Sequence, residues 1–248
     1  MTYPHGRRFG GSLNPLTQRT YAQHGQDRLA ILFFAVMRPA SRVFVDVGAF
    51  DGIGFSNTRA LFERGWTGVC VEPVAKNFEK LELLYRGTPV RTVRAAVSDA
   101  DGEAEMMVAT IPGHEYWGSD VSSLEPSTCS SWSEYAWTTE VVPTRRLDSI
   151  LEAERIKQVD FLSVDVEGHE RAVLDGLDLD RYRPKVIAIE AGTPELRQLV
   201  LDRTSAHGYR LWRERGADLV LVRTGPIAHF VLRVLGRLTR SWLEPSAG

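Results

Sequence analysis

The sequence predicts an α/β fold in which a doubly wound, mostly parallel sheet of seven strands ends in an antiparallel strand pair. Two observations predict it. Short apolar segments alternate with segments of helical period along most of the chain, which is typical of parallel strands joined by helical crossovers on both faces of a sheet. The last two strand-like segments, "YRLWRE" and "DLVLVR", are separated by a connection too short to join parallel strands.

The elements follow one another in a regular order. A helix over 26–37 ends before Pro39 and precedes the first strand. Five apolar runs then indicate parallel strands: "RVFVDV", "TGVCVE", "VRTVRAAV", "VDFLSVDVE" and "PKVIAIE". Helices are predicted between and after these strands, over 56–64, 75–85, 147–155, 169–177 and 194–204.

One segment interrupts the alternation. "DADGEAEMMVA" contains an Asp-Gly pair typical of hairpins, and "TEVVPTRRL" is predicted to return as a strand. Residues 109–138 show no clean period and contain aromatics, glycines and many serines. Irregular segments of this length in a compact domain are usually functional, so we expect a substrate lid in which His114, Tyr116 and Trp117 contact the substrate. The alternative is that the aromatic side chains pin the loop to the core.

The ends of the chain differ from its middle. We expect a flexible segment over 1–20, one domain over 21–224, and an amphipathic helix over 225–248. Apolar residues of that last segment recur at helical spacing with arginines between them. Such a helix packs on its own domain or on a second subunit, as in a homodimer, or rests on a membrane surface.

Composition excludes several classes of protein. The net charge of −2 argues against a nucleic-acid-binding protein. Two isolated cysteines, Cys70 and Cys129, argue against a disulfide scaffold or a zinc site and favour a reducing compartment. The sequence contains neither a signal-peptide pattern at its beginning nor an apolar run of transmembrane length. We therefore expect a cytoplasmic protein without a transmembrane segment.

The first two strands end in residues that suit a nucleoside cofactor. Asp46 ends the first strand, glycines follow at 48, 52 and 54, and Glu72 ends the second strand at the position of a ribose-binding acid. The glycine spacing is not G-x-G-x-x-G, and the acids Asp46 and Asp51 suit a cation better than a pyrophosphate. These features favour S-adenosylmethionine over a dinucleotide. The alternative is that Asp46 caps a helix and Glu72 is solvated.

Several segments together resemble the FkbM family of S-adenosylmethionine-dependent methyltransferases. They are "VFVDVGAFDGIGFSNT", "VCVEP", "AAVSDADGEAEM" and "VDFLSVDVEGHERAVLDGL", with "YAQHGQD" before the first strand and "RRLDSIL", which has Arg146 where threonine is common. The resemblance covers about residues 20–223. It implies a class I, Rossmann-like methyltransferase fold. It also implies methyl transfer to a hydroxyl of a sugar, polyketide or similar metabolite, as in natural product or glycan biosynthesis.

The resemblance also implies roles for individual residues. The methionine end of the cofactor would be lined by Asp46, Gly48, Asp51 and Gly52, with Asn57 beside them, while Glu72 would hold the ribose and Ser98 and Asp99 would flank the adenine. Gln26 and Asp27 would cap the pocket, although Gln26 is also a natural helix N-terminal residue.

An alcohol is a weak nucleophile, so its methylation needs a base or a metal ion. His169 follows the fourth strand and is a candidate base, with a locally bonded histidine as the alternative. Asp165 and Glu190 end adjacent strands and together suit Mg²⁺; without a metal, Asp165 would bind substrate or orient His169. Glu167 is a candidate substrate contact.

Three rival functions are considered. An NAD-type oxidoreductase lacks its glycine spacing here, and a nucleic-acid methyltransferase lacks its Pro-Pro box after the fourth strand, where this chain has "DVEGH". An inactive binding module is the third rival. The retention of both Asp46 and Glu72 argues against it.

Overall fold

A computed structural model describes residues 19–110, 121–125 and 135–225. The strands are β1 Val43–Val47, β2 Thr67–Val71, β3 Arg91–Val93, β4 Ala96–Ser98, β5 Gly102–Thr110, β6 Ala136–Arg146, β7 Phe161–Val164, β8 Val186–Glu190, β9 Tyr209–Arg215 and β10 Asp218–Arg223. The helices are α1 Gln26–Val36, α2 Arg59–Phe62, α3 Ala75–Tyr85, α4 Leu147–Ala153, α5 Glu170–Asp175, α6 Leu179–Tyr182 and α7 Pro194–Ser205.

The main sheet confirms the predicted fold class. It has seven strands in the order β3-β2-β1-β7-β8-β10-β9. Strand β1 is parallel to both β2 and β7, and β10 is antiparallel to both β8 and β9. The chain moves outward from β1 to β3 and then returns to β7 on the other side of β1. The carboxyl ends of β1 and β7 therefore border a topological switch point, where open α/β sheets bind ligands.

The third predicted strand is divided. Residues 91–93 stay in the main sheet as β3, whereas β4 pairs with β6 in a three-stranded sheet of order β4-β6-β5. The predicted hairpin-like excursion is present, because β5 pairs antiparallel with β6 along its whole length. β5 extends to Thr110 and β6 begins at Ala136, so both ends of the expected irregular segment 109–138 are strands.

Helices differ from the sequence expectations mainly at their ends. α2 begins at Arg59 rather than at residue 56, because the Ser56 hydroxyl accepts hydrogen bonds from the amides of Thr58 and Arg59 and so holds a turn before the helix. α6 was not predicted from the sequence. Asp178 caps it by accepting hydrogen bonds from the amides of Asp180 and Arg181.

Alternation along β1 sorts its side chains onto the two faces of the sheet. Val45 and Val47 belong to one hydrophobic cluster, with residues of β7, α4 and α5, and Phe44 belongs to a second cluster with residues of α1 and α2. Because side chains alternate along a strand, Asp46 shares the face of Phe44. Within the described ranges, no helix combines the length and hydrophobicity needed to cross a membrane.

Candidate active site

A cavity lies at the carboxyl ends of β1, β2 and β4. It encloses about 520 Å³ of space, part of which is open to solvent. Its walls combine apolar side chains with a few polar ones. The lining includes Gly48, Phe50, Glu72, Val74, Val97, Met106, Ser122, Leu124, Asp165 and His169.

Gly48 permits the close approach of two strand ends at the mouth of this cavity. Its φ is +81°, and a Cβ atom there would lie 1.7 Å from the carbonyl oxygen of Asp165. Its amide donates to the carbonyl of Val71, 3.0 Å away. Gly52 is also in the left-handed region, and a Cβ there would lie 2.8 Å from side-chain carbons of α3. The turn therefore requires glycine at both positions.

Glu72 lines the cavity and is held by neighbouring amides. One carboxylate oxygen accepts from the amide of Phe50 at 3.0 Å, and the other accepts from the amide of Val74 at 3.0 Å and from the side chain of Asn77 at 3.3 Å. Burial raises the pKa of Glu72 to about 7, although these donors oppose the shift. The carboxylate is thus fixed in one orientation at the end of β2.

Asp46 lies beside the cavity and is not among the described residues that line it. Its carboxylate accepts from the Thr58 hydroxyl at 2.6 Å and also bonds Ser163, and burial raises its pKa to about 6. Asn57 donates to the same Ser163 hydroxyl at 3.0 Å. These contacts tie the start of α2 to β1 and β7. Asp51 accepts from the amides of 53 and 54, which stabilises the glycine turn.

His169 sits between two side chains at the opposite wall. Its Nε2 lies 3.0 Å from the Ser98 hydroxyl and its Nδ1 lies 2.8 Å from a carboxylate oxygen of Glu125. Ser98 also bonds Asp99, which lines an adjoining surface pocket together with His169. Both ring nitrogens have partners, so this arrangement matches a locally bonded histidine. A role as base requires one of these hydrogen bonds to break.

The turn after β7 is shaped by Glu170, which sequence reasoning did not single out. Glu167 and Gly168 both have positive φ, at 54° and 104°. The buried carboxylate of Glu170 accepts from the amides of 166 and 168, at 3.3 and 3.2 Å. The Ser123 hydroxyl donates to the carbonyl of Glu167 at 2.6 Å. A glutamate in the first turn of a helix, from which its carboxylate can reach back to preceding amides, is the signal that predicts such a cap.

The expected lid is described only in part. Residues 121–125 contact the cavity, since Ser122 and Leu124 line it and Glu125 bonds His169. His114, Tyr116 and Trp117 lie outside the described residues, as does the expected helix over 225–248.

Three carboxylates meet where β7 and β8 end. Ligand oxygens of Asp165, Glu167 and Glu190 all lie within 4.8 Å of one another. Solvent reaches Asp165, but the protein around it and the nearby charge of Glu190 raise the pKa of its carboxyl well above the usual range. Burial, reinforced by the charge of Glu167, raises the pKa of Glu190 to about 7. Such a cluster binds protons tightly and has the hard oxygen ligands that Mg²⁺ prefers.

Gln26 lies in a different place from the cavity. It is at the start of α1 and lines a second cleft, with His24 and Asp218. Its side-chain oxygen accepts from the amide of His24 at 3.1 Å. Sequence reasoning assigned no role to His24, because nothing near it in the sequence has ligand spacing.

The sheet order is that of the class I methyltransferase fold, with a cavity past β1 and β2. The family model of the methyltransferase FkbM domain matches residues 46–211, about two thirds of the chain. The chain therefore belongs to this family. The resemblance identified from the sequence motifs is thereby confirmed.

Individual relatives were also found. The chain is similar to precorrin-6y C5,15-methyltransferase from Geobacter metallireducens GS-15, with 12% identity, coverage of 86% of this chain and 92% of that one, and a TM-score of 0.41. It is similar to ribosomal protein L11 methylase from Lactobacillus delbrueckii subsp. bulgaricus, with 10% identity, coverage of 82% and 81%, and a TM-score of 0.45. A stretch of 68 residues is 38% identical to chanoclavine-I dehydrogenase ifgE of Penicillium roqueforti (strain FM164), spanning 27% of this chain and 26% of that protein.

Proposed function

We propose that the protein transfers a methyl group from S-adenosylmethionine to a hydroxyl oxygen of a sugar, a polyketide or a related small metabolite. The cavity at the ends of β1 and β2, with the oriented carboxylate of Glu72 in its wall, is the observation that supports this most. A carboxylate accepts hydrogen bonds from both ribose hydroxyls and gives the site a preference for a nucleoside.

The remaining walls suit the other parts of this cofactor. Val74, Val97 and Met106 offer apolar surface for the adenine ring. Gly48 lets the backbone approach the methionine end, and the carboxyl oxygens of Asp165 line the same mouth, where they can accept hydrogen bonds from the ammonium group. Ser98 and Asp99 stand at the adenine side, whereas Asp46, Asp51 and Asn57 support the cofactor by holding the turn.

The reaction is an in-line displacement at the methyl carbon. Alignment of donor and acceptor lowers the barrier by roughly 7–11 kcal/mol when the reacting atoms are held near attack distance. The acceptor hydroxyl must also lose its proton. A divalent cation fits the oxygens of Asp165, Glu167 and Glu190 and would make a bound hydroxyl more acidic. The chain's own carboxylates position the hydroxyl by accepting its hydrogen bond.

Calorimetry tests cofactor binding. We expect wild-type protein to bind S-adenosylmethionine and S-adenosylhomocysteine, and Glu72→Gln to weaken both at least tenfold because it removes a charged acceptor from the ribose. Glu82→Gln, on the exposed side of α3, is the matched control and should bind normally. Binding of NADH in place of these ligands would favour the oxidoreductase alternative. Equal affinity of the Glu72 and Glu82 variants would remove Glu72 from the ribose site.

A separate measurement tests the metal. If the three carboxylates bind Mg²⁺, millimolar MgCl₂ should raise the midpoint of thermal unfolding of wild-type protein, and Asp165→Asn should abolish the increase. An unchanged unfolding midpoint would mean that Mg²⁺ does not bind, so that a base alone would have to deprotonate the acceptor hydroxyl. A homodimer through residues 225–248 and a cytoplasmic location stay predictions.

A further inference from the structure

We propose that His24 and Asp218 form the acceptor-binding base of this enzyme. His24 would accept the proton of the acceptor hydroxyl at Nε2, in a cleft that takes neutral or cationic alcohols. The inference rests on the proposed methyl transfer and assigns the acceptor hydroxyl to a second cleft next to the cofactor cavity. His24 Nδ1 lies 2.5 Å from Asp218 Oδ2.

The contact between the two side chains determines the tautomer of His24. An ionised carboxylate only accepts hydrogen bonds, so the proton lies on Nδ1 and Nε2 keeps a free lone pair. Among the described residues, Nε2 of His24 has no hydrogen-bond partner. His169 differs, because both of its ring nitrogens are engaged. Side-chain exposures of 31% for His24 and 15% for Asp218 leave the imidazole reachable and its carboxylate partner largely covered.

The loop that carries His24 is held in place by the start of α1. The Asp27 carboxylate, which is fully buried, accepts from the amides of Tyr21 at 2.7 Å and Ala22 at 3.4 Å. Gln26 accepts from the amide of His24 at 3.1 Å. The two residues that the sequence suggested as a pocket cap thus build the loop that presents the imidazole.

The dyad is continuous with the carboxylates at the cofactor mouth. Asp218 begins β10 and is paired in register with Glu190, which ends β8, and Glu190 hydrogen-bonds to Asp165 after β7. These strands are adjacent in the sheet. The carboxylates therefore form a row from the cofactor cavity to the second cleft, which holds about 690 Å³ and is lined by His24, Gln26, Leu29 and Asp218 among others.

The row determines which acceptors fit. The carboxyl oxygens of Asp165, Glu190 and Asp218 accept hydrogen bonds from hydroxyls and amines, whereas a phosphate group offers them no donor. In the reaction, the acceptor O–H bond breaks and its proton goes to Nε2 of His24. An oxygen electron pair forms the new bond to the methyl carbon, and the S–C electrons return to sulfur, giving S-adenosylhomocysteine. Asp218 stabilises the imidazolium of His24 until His24 releases the proton to water.

The experiment measures S-adenosylhomocysteine release with full-length protein and named probes. The probes are methyl glucoside, glucosamine and glucose 6-phosphate. We expect turnover with the neutral or the amino sugar and none with the phosphate. A wild-type protein that binds S-adenosylmethionine but methylates neither of the first two probes would overturn the acceptor class. Failure to bind S-adenosylmethionine would instead refute the proposed methyl transfer itself.

Variants then test the dyad. His24→Gln should lower kcat at least about 100-fold, since general bases typically contribute that much, with cofactor affinity changed less than twofold. Asp218→Asn should lower kcat at least tenfold. His207→Gln is the matched control. His207 also forms a histidine–aspartate pair, with Nδ1 lying 3.0 Å from Asp180, but this exposed pair lines neither the cofactor cavity nor the second cleft. It should have wild-type kcat.

Two readouts separate a base from a structural histidine. Imidazole added to His24→Ala should restore turnover, and the acid limb of the pH profile of kcat should disappear in that variant. The charged groups that line the cleft with His24 are Asp218 on β10 and Arg213, Glu214 and Arg215 on β9. Lack of imidazole rescue together with an unchanged pH profile would show that His24 only supports the fold.

Discussion

Replacing Gly48 by alanine tests whether the close contact between β1 and β7 shapes the cofactor mouth. The added Cβ would lie 1.7 Å from the Asp165 carbonyl oxygen, well below the 3.0 Å that real Cβ atoms keep, so the strand ends must separate by more than an ångström. The positive φ costs about 1 kcal/mol. Separation also disrupts the hydrogen bond from Asp165 to Val47, at about 1 kcal/mol, and the remaining overpacking costs about 1 kcal/mol more. We expect a total loss of about 3 kcal/mol.

Gly65 provides the control for this experiment. Its φ of +78° is nearly the same, but no atom lies within 4 Å of its would-be Cβ, so Gly65→Ala incurs only the conformational cost of about 1 kcal/mol. Urea unfolding of the two variants measures the difference, which should be about 2 kcal/mol. S-Adenosylmethionine affinity should fall only in the Gly48 variant. Equal unfolding free energies would refute the argument that this contact constrains the strand ends.

Three further predictions concern buried polar groups. S-Adenosylmethionine affinity, measured by calorimetry, should rise as pH increases through about 7, because the ribose hydroxyls bond the ionised form of Glu72. The free energy of unfolding, measured with urea, should fall as pH rises from 4.5 to 7, because the folded state holds the Glu72 proton more tightly than the unfolded state. Glu72→Gln should flatten both pH dependences. Asp160→Asn should reduce the unfolding free energy by about 3 kcal/mol, because Asp160 accepts from three amides and pairs with Lys185. Burial alone would raise the pKa of Asp160, but these donors outweigh burial, and the pKa is lowered from its usual 3.8. The difference in unfolding free energy between wild type and Asp160→Asn should therefore narrow as pH falls below 3.8. His169→Ala should weaken cofactor binding and turnover together, because the ring lines the cavity and is bonded at both nitrogens; a loss confined to turnover would support a base.

The strand ends were predictable because hydrophobic runs stop at a polar residue where a strand leaves the core. Glu72 and Glu190 were found in this way, and both lie at strand ends in the structure. The orientation of Asp46 also follows from sequence, since alternation places it on the face of Phe44 and beneath α2. The run "RVFVDV" therefore predicts the face on which Asp46 lies as well as the strand itself.

Other features depend on contacts that sequence spacing cannot show. The division of the third strand arises because β4 pairs with β6, which begins some forty residues later. The segments "RTV" and "AVS" have the same strand-like pattern in the sequence. Only their partner strands, β2 and β6, assign them to different sheets. The Ser98–His169–Glu125 chain of hydrogen bonds joins three segments in the same way.

The two histidines illustrate why position after a strand is a weak guide to a base. His169 follows β7, as a catalytic residue often does, yet its neighbours occupy both nitrogens. His24 precedes the first strand and is 194 residues from its carboxylate partner. The two histidines differ in that Nε2 of His24 keeps a free lone pair. This follows because the fold brings one hydrogen-bond partner to the ring of His24 and two to the ring of His169. Since β10 runs antiparallel to β8, its first residue arrives at the same sheet edge where β7 and β8 end. The reversed last strand therefore supplies the carboxylate that a wholly parallel sheet would place at the opposite edge.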